Sequence, residues 1–397
     1  MSRTSAFRHD PGKSVLTLPG KAGRPSRWSS EPAVCGHRRL THVREDHDRP
    51  IPVPVCATPA VVVGAGVVVA GYDGYVSFHS RFLDKVYWSR RLDSPVYASL
   101  VVDADRRRVV AAATSGLVVC FDLRGRRVWS TNVEVPVYAT PTLLPEEDVL
   151  VIAAFGGRCV GLDLDSGALL FNRSLREPWH AGHGGSAAGR DPYASPAATA
   201  EGSVIVCCAE HVLCLAPDGT ELWSQDLGHS VRASPVVLNS QEQVVAFSVD
   251  GRCHFLAGGD GRWRGEVELG GKIIASPAVS GDVLAVGTQN DVAFGIDVRT
   301  REIVWRSPGY APREYTSFTV LPDGNFAATS ARGNAVGLSR SDGRFLWETS
   351  QVLGLADHDP AMDITPVAGS DGSMYCGSYS GMLYHFLFRP EGEVENA

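Results

Sequence analysis

Histidine, aspartate, tyrosine and arginine residues occur together in the segments that separate the apolar, β-branched runs of this chain. Imidazole, carboxylate and phenol groups are the side chains that most often donate and accept protons during catalysis. We interpret one set as candidates for general acid–base catalysis: His180, His183, His229, Tyr315 and Asp359. We interpret a second set as candidates for ligand binding: Tyr97, Tyr138, Arg232, Arg313, His358 and Asp363.

Three kinds of site are compatible with these residues. His180 and His183, with His358 or Asp359, have the donor types that bind zinc, iron or manganese. Loop histidines without regular spacing are more often ordinary surface residues, so we predict no metal site. The remaining alternatives are an acid–base pair and a polar recognition surface without catalysis, in which the arginines would receive a carboxylate or phosphate.

A recurring sequence phrase must position these residues. It comprises a tripeptide such as Ala275-Ser276-Pro277, two apolar strand patterns, a hairpin at Asn290-Asp291, a third strand and a closing Trp305. The phrase fits eight times, mostly at spacings of 39 to 42 residues. A period of this length, made of short β-branched strands, predicts an all-β protein, a β-propeller with one four-stranded antiparallel blade per repeat.

The ends of the repeat array predict how the ring closes. Arg27-Trp28-Ser29 resembles the end of a blade but precedes the first tripeptide, whereas the eighth repeat, Ile364 to Phe388, lacks a closing Trp. We therefore predict an eight-bladed propeller closed by an N-terminal strand around residues 15–28, with seven blades as the alternative. The domain spans residues 21–390 in this interpretation, between disordered tails at 1–20 and 391–397.

Three connections between repeats are long, and each follows a predicted outer strand: Ser30 to Cys56, Leu175 to Tyr193, and Glu348 to Asp363. In antiparallel blades, every outer-to-inner connection emerges on the same face of the ring as the second-to-third-strand hairpins. The candidate residues are therefore expected to surround the mouth of the central channel on one face.

Composition and charge restrict the function further. The net charge of −7 over 397 residues argues against a nucleic-acid-binding protein, and the arginine runs at 106–108 and 124–127 are interpreted as solvated hairpin turns. No apolar stretch has the length of a signal peptide or a membrane span. Nine cysteines, mostly within predicted strands, are expected to be buried thiols. We expect a cytoplasmic monomer that binds no membrane.

Two runs resemble the tryptophan-docking repeat of the quinoprotein-like β-propeller superfamily: Gly161-Leu162-Asp163-Leu164-Asp165-Ser166-Gly167 with Phe171, and Ile296-Asp297-Val298-Arg299-Thr300 with Trp305. The superfamily includes dehydrogenases that bind pyrroloquinoline quinone (PQQ) and calcium. It also includes outer-membrane assembly lipoproteins, which the lack of a recognisable signal sequence disfavours. The resemblance is closest in character to the C-terminal propeller of β-alanine-activating, acyl-CoA-synthetase-like proteins, which is cytosolic and repeats the same inner-strand phrase.

The dehydrogenases of this superfamily place a vicinal cystine against the quinone. This chain contains Cys207-Cys208, but within an apolar strand pattern, where successive side chains point to opposite faces of the sheet. A vicinal cystine needs a turn. We therefore expect two buried thiols and no cofactor, neither PQQ nor calcium.

The sequence contains no Gly-rich phosphate loop, nucleophile elbow or HExxH helix. We therefore expect a binding or scaffold protein that holds a protein or a small polar ligand at the loop-rich face. The alternative is a non-redox lyase, cyclase or hydrolase that acts on a small polar metabolite by general acid–base catalysis. A PQQ-dependent dehydrogenase ranks third.

Overall fold

Eight four-stranded antiparallel blades form a β-propeller, and the inner strands of neighbouring blades contact one another around the ring. The predicted fold is therefore confirmed. The structure is a computed structural model. It describes residues 4–5, 15–17, 28–43, 50–55, 57–176, 194–310, 317–355, 362 and 364–390.

Each blade is named below by its strands in the order inner, second, third and outer. Blade 1 comprises Ala60–Val63, Gly66–Ala70, Tyr75–Ser80 and Val86–Arg91. Blade 2 comprises Val101–Asp103, Arg108–Ala112, Leu117–Asp122 and Arg127–Asn132. Blade 3 comprises Thr142–Leu144, Val149–Ala154, Arg158–Asp163 and Leu169–Ser174. Blade 4 comprises Ala197–Ala198, Val204–Cys208, His211–Leu215 and Glu221–Asp226.

The second half of the ring follows the same order. Blade 5 comprises Val236–Leu238, Gln243–Ser248, Arg252–Ala257 and Trp263–Glu268. Blade 6 comprises Ala278–Ser280, Val283–Thr288, Val292–Asp297 and Glu302–Pro308. Blade 7 comprises Thr319–Val320, Phe326–Thr329, Ala335–Leu338 and Phe345–Glu348. Blade 8 comprises Val367–Ala368, Ser373–Gly377, Met382–Leu387 and, from the N-terminal part of the chain, Ala33–Arg39.

Few elements lie outside the blades. A short helix spans Thr349–Leu353, a 3-10 turn spans Asn239–Gln241, and Thr41–Val43 pairs with Pro50–Pro52. Among the described residues, no helix is long and apolar enough to cross a membrane.

Burial explains the composition of the strands. Second strands such as Val204–Cys208 are buried at every position because each blade packs between two others. Outer strands are covered on one side only, and Val86–Arg91 buries Trp88 alone. β-branched residues therefore fill the middle strands, and polar residues alternate around one aromatic residue in the outer strands.

An aromatic ring stacked on a glycine joins neighbouring blades. Trp129 of blade 2 is buried against Gly167 of blade 3, where an added Cβ would lie 2.6 Å from the indole. The indole Nε1 also donates to the carbonyl oxygen of Leu164, at 2.8 Å. The same ring–glycine contact recurs in Trp88–Gly125, Phe171–Gly219, Trp223–Gly261 and Trp305–Gly343.

Two blades lack this aromatic residue. The register places Gly265 of blade 5 and Gly36 of blade 8 at the position that Trp305 occupies in blade 6. Blade 6, which follows blade 5, has Arg301 at the turn before its outer strand, with a φ of 63°. Blade 1, which follows blade 8, has Leu83 at the same turn, with a φ of 64°. An L-residue in this conformation is strained. The turn position therefore requires glycine where a ring stacks on it, and accepts a side chain where the ring is absent.

The N-terminal part of the chain closes the ring, but further along the sequence than predicted. Ala33–Arg39 pairs with Met382–Leu387 as the outer strand of blade 8, rather than a strand around residues 15–28. Trp28 instead forms an isolated antiparallel β-bridge with Pro390, and its indole ring lies against Gly372. A search for tryptophan misses the closing strand because the aromatic position there is a glycine.

Two short strands occur within the segment 1–20. Thr4–Ser5 pairs with the inner strand of blade 5, and Val15–Thr17 pairs in parallel with the inner strand of blade 1. Inner strands offer a free edge toward the channel, so a passing segment completes their hydrogen bonds there. The rest of residues 1–20, and all of 391–397, lie outside the described residues, and their predicted disorder stays a prediction.

Three histidines are buried in the blades, each beside a serine hydroxyl. The Nε2 atoms of His79, His254 and His385 lie 2.7, 2.6 and 3.1 Å from the Oγ atoms of serines, and their Nδ1 atoms have no hydrogen-bond partner. Burial lowers the pKa of His79 and of His385 to about 4. Nearby Arg38 lowers the pKa of His79 further, and Arg81 does the same for His385.

We predict that replacing Trp129 by Ala lowers the free energy of unfolding by about 3–5 kcal/mol, because the change leaves a cavity between two blades. The matched control is Trp263→Ala. Trp263 is 48% exposed and joins no blades, so its loss should cost less than about 1 kcal/mol. Urea denaturation followed by circular dichroism measures both values. Equal losses for the two variants would contradict the role assigned to the ring–glycine contact.

The buried imidazoles predict a loss of stability in acid. A histidine of the unfolded chain has a pKa near 6.5, whereas His79 and His385 in the folded protein have a pKa of about 4. Between these two pH values the unfolded chain therefore binds more protons than the folded protein. Stability therefore falls as the pH decreases through this range. His385→Gln should reduce the loss between about pH 7 and about pH 5 by about 2 kcal/mol. Denaturation at both pH values tests this, and an unchanged difference between them would show that His385 does not contribute.

Candidate functional site

Four aromatic side chains lie in contact on the face that carries the outer-to-inner connections and the second-to-third-strand hairpins. We call this the loop face, and we call Tyr72, Tyr97, Tyr138 and Phe155 the aromatic row. Tyr72 meets Tyr97 edge-on at a centroid distance of 5.5 Å, and Tyr97 lies 5.4 Å from Tyr138. Tyr138 stacks on Phe155 at 4.6 Å. The row runs from blade 1 to blade 3.

Backbone hydrogen bonds hold the row from its hairpin side. The Tyr72 N–H donates to the carbonyl oxygen of Pro54 at 3.0 Å, and the Phe155 N–H donates to that of Pro136 at 2.9 Å. Each bond ties a second-to-third-strand hairpin to the neighbouring connection. The backbone that carries the Tyr72 and Phe155 side chains is therefore held in place by these hydrogen bonds.

The opening tripeptides hold the row from its channel side. Tyr97 and Tyr138 each immediately precede a tripeptide, and the tripeptide hydroxyls bond the backbone of the preceding blade: the Ser99 N–H donates to Thr140 Oγ1 at 3.0 Å. The equivalent hydrogen bond runs from the backbone N–H of one tripeptide to the hydroxyl of the next and measures 2.6–3.1 Å. It joins residues 140 to 195, 195 to 234, 234 to 276, 276 to 317 and 317 to 365. A small hydroxyl residue is needed at each position because both groups are buried.

The row combines exposed ring surface with a fixed position. Tyr72 is 46% exposed, and the other three members are partly buried. Tyrosine and phenylalanine provide a large contact area with few rotatable bonds, and tyrosine adds a polar end. The arrangement suits adhesion to another molecule rather than proton transfer.

The structure brings together two of the predicted ligand-binding residues, Tyr97 and Tyr138. It adds Tyr72 and Phe155, which sequence reasoning missed because both stand in hairpins interpreted only as turns. An aromatic residue directly before Asp73-Gly74 and before Gly156-Gly157 was the available signal. Whether the row binds a ligand stays a prediction.

His229, a predicted catalytic residue, has a carboxylate partner. Its Nε2 lies 3.6 Å from Asp250 Oδ2, and its side chain is 57% exposed. The same Asp250 oxygen lies 3.2 Å from Arg252 Nε, and the other accepts the Ser248 hydroxyl. Arg252 and Ser248 contact the same carboxylate, and the catalytic role predicted for His229 stays a prediction.

The other predicted site residues divide into one described residue and seven undescribed ones. Arg232 is partly buried in the connection from blade 4 to blade 5. The following residues lie outside the described part of the chain, so their predicted roles stay predictions: His180, His183, Arg313, Tyr315, His358, Asp359 and Asp363.

Cys207 and Cys208 are buried thiols that form no disulfide, in the second strand of blade 4, as predicted. Cys207 packs toward blade 5 and Cys208 toward blade 3, in two different core clusters. Burial raises the pKa of the Cys207 thiol above its usual range. Two thiols on opposite sheet faces do not fit the cystine that contacts PQQ in the dehydrogenases.

No group of three or more metal-ligating side chains occurs among the residues that the structure describes. Calcium needs about six to eight oxygen ligands. The described residues therefore do not fit a calcium–quinone site, and the expected absence of both groups stays a prediction for the whole chain.

Comparison with solved structures shows the fold of known propellers. BamB from Moraxella catarrhalis superimposes with a TM-score of 0.68 at 16% identity, over 90% of this chain and 100% of that one. The quinohemoprotein alcohol dehydrogenase from Comamonas testosteroni gives a TM-score of 0.65 at 13% identity, over 92% and 77% of the two chains. At these identities the likeness shows the fold alone.

Comparison of sequences is more specific. No curated protein matches the chain. A family model described as "Outer membrane protein assembly factor BamB" matches residues 26–211 and again residues 208–393. The two matches together cover the eight repeats, the ring–glycine contacts and the closing strand. The chain therefore belongs to the BamB-like family of PQQ-type repeat β-propellers.

Proposed function

We propose that this protein is a binding scaffold whose loop face holds a protein partner, with the aromatic row as the main contact. The observation that carries the proposal is the contact of four aromatic rings across three blades, at centroid distances of 4.6–5.5 Å. The family supports it, because its model is described as an assembly factor, and such a factor acts through contacts with other proteins.

The shape of the row favours a protein over a small metabolite. A metabolite site is a closed cavity that surrounds most of its ligand. The row is instead an extended strip with an exposed end at Tyr72. Aromatic residues in fixed positions are the usual anchors of protein–protein interfaces. The same proposal includes the possibility that the loop face holds a small polar ligand in place of a protein partner.

The proposal includes location and cofactor content. We place the protein in the cytoplasm as a monomer, in line with the resemblance to the propeller of β-alanine-activating, acyl-CoA-synthetase-like proteins. The eight cysteines within the described residues form no disulfide, which supports a reducing compartment. We propose that it binds neither PQQ nor calcium, supported by the strand geometry of Cys207 and Cys208.

The second candidate function is a non-redox enzyme that acts on a small polar metabolite. The observation that favours it is the pairing of exposed His229 with Asp250 at 3.6 Å. A carboxylate orients an imidazole for general base catalysis in many hydrolases. We rank this function second because Arg252 neutralises the same carboxylate.

Site-specific cross-linking tests the proposed function. A photoreactive phenylalanine analogue at position 72 should cross-link one protein in native extract at high yield. The matched control has the analogue at Tyr87, which is 48% exposed on the outer strand of blade 1 and away from the row. We expect the position-72 product to be absent from the control.

The cross-linked protein, once purified, should bind the wild type and bind Tyr97→Ser/Tyr138→Ser at least about tenfold more weakly, because hot-spot aromatic residues carry most of an interface's affinity. Equal binding by the double variant would contradict the role of the aromatic row. Turnover of a metabolite that disappears in His229→Asn, without any cross-linked protein, would favour the enzyme instead.

A further inference from the structure

The inner strand of blade 1 carries an additional strand on its channel side. Val15–Thr17 runs parallel to Val61–Val63 and pairs with it residue for residue. The added strand also contacts Val101–Asp103, the inner strand of blade 2. It therefore lies where blades 1 and 2 meet at the channel. We call the channel-facing backbone of Ala60–Val63 the blade 1 edge.

The added strand covers only part of the blade 1 edge. The inner strand of blade 1 has four residues, and Val15–Thr17 pairs with the last three of them. Pro11 and Gly12 precede this segment in the sequence, and both residue types are poor strand formers. A segment with better strand-forming residues at these two positions would pair further along the edge than this chain's own segment does.

The junctions on both sides of blade 1 lack a hydrogen bond that the rest of the ring makes. At six junctions, the N–H of one tripeptide donates to the hydroxyl of the next. Thr58 and Ser99 are 0% and 1% exposed, yet their hydroxyl oxygens have no hydrogen-bond partner among the described residues. Buried polar groups are normally satisfied. Two unsatisfied hydroxyls therefore flank the inner strand that carries the added segment.

The register relates these hydroxyls to the blade 1 edge. A strand that continues past Ala60 in the register of Val15–Thr17 reaches the level of Thr58 after two more residues. A longer added strand would therefore bring its own polar groups to the place where the tripeptide bonds are missing.

The channel admits extended chain at more than one place. Thr4–Ser5 pairs with Val237 and Leu238 on the inner strand of blade 5, which stands opposite blade 1 in a ring of eight. Free strand edges are the usual targets of strand addition. In that mode of recognition, main-chain hydrogen bonds give affinity and alternate side chains give specificity.

We propose that the blade 1 edge is a strand-addition site for a partner protein, and that Val15–Thr17 is a tethered segment that the partner displaces. The partner supplies an extended segment that runs parallel to Ala60–Val63. It has β-branched or aliphatic residues opposite Val61–Val63 and a polar side chain at the level of Thr58. The three-residue pairing of the tethered segment makes few hydrogen bonds, so a longer strand competes with it. This site goes beyond the proposed function of the loop face and does not depend on the aromatic row.

Binding of a fluorescein-labelled peptide DTSKSVLTL tests the proposal. The peptide repeats residues 10–18 with Pro11→Thr and Gly12→Ser. The protein is the full chain with Val15→Pro/Leu16→Pro/Thr17→Pro, which removes the N–H groups of the tethered segment. By fluorescence anisotropy we expect it to bind at least about tenfold tighter than the wild type, whose own segment competes at a high effective concentration. The unchanged sequence DPGKSVLTL should bind at least about threefold more weakly, because it loses contacts near Thr58.

The matched control is Thr4→Pro/Ser5→Pro, which releases the chain from blade 5 and leaves the pairing at blade 1. It should bind the peptide within about twofold of the wild type. Circular dichroism and the Tm establish that each variant is folded. Equal affinity of the wild type and both variants would overturn the proposal, because Val15–Thr17 would then not compete with the peptide. Lack of saturable binding to the triple-proline variant would also overturn it.

Hydrogen exchange followed by mass spectrometry locates the bound peptide. In the triple-proline variant, Ala60–Val63 should exchange faster than in the wild type and slow down again when the peptide is saturating. Thr142–Leu144, the inner strand of blade 3, is the internal control and should not change. Protection elsewhere would overturn the site. A wild-type dimer, detected by light scattering, that the peptide converts to a monomer would assign the edge to a second copy of this chain and overturn the partner proposal.

Discussion

The ring depends on an aromatic side chain of one blade stacked against a glycine of the next, a contact that blades 1, 2, 3, 4 and 6 make. Trp129 on Gly167 shows its parts: a buried indole, a backbone turn with φ of +72°, and an indole N–H that donates to a carbonyl beside that turn. The glycine satisfies two demands at once, since the turn needs positive φ and the ring needs the volume of the missing side chain. Sequence, turn conformation and blade packing are linked at this point.

The exceptions support this explanation. Gly36 and Gly265 remove the ring from blades 8 and 5, and the next turn then carries Leu83 or Arg301 despite positive φ. Leu83 is buried, and Arg301 places its guanidinium 5.5 Å from the centre of the Phe255 ring. A side chain from the following blade thus fills the space that the ring vacates. Glycine in this turn is therefore required by the stacked ring more than by φ alone.

This construction gives a stable support for binding surfaces. The hydroxyl-to-backbone bonds join the tripeptides of neighbouring blades near the channel, and the ring–glycine contacts of blades 1, 2, 3, 4 and 6 join neighbouring blades near the perimeter. Loops on such a support vary freely without loss of the fold. The hydroxyl-to-backbone bonds of the tripeptides help to position the aromatic row, because Tyr97 and Tyr138 directly precede two of these tripeptides.

The repeat period and the tripeptide were sufficient to predict eight blades, because both follow from contacts that every blade must make. The closing strand could not be placed, since Gly36 carries no aromatic signal. Tyr97 and Tyr138 were recognisable because they stand in the connections between repeats, but Tyr72 and Phe155 stand in hairpins and meet them only in space.

The role of the ring–glycine contact is tested most directly by a double-mutant cycle at Trp305 and Gly343. In the wild type, Gly343→Leu places a side chain where an added Cβ would already lie 2.4 Å from the indole. We expect it to cost at least about 4 kcal/mol of unfolding free energy there, and only about 1–2 kcal/mol, the strain of positive φ, in the Trp305→Ala background. A coupling of about 2 kcal/mol or more in urea denaturation is the predicted result. Equal costs in both backgrounds would contradict the account, because glycine would then be required by backbone conformation alone.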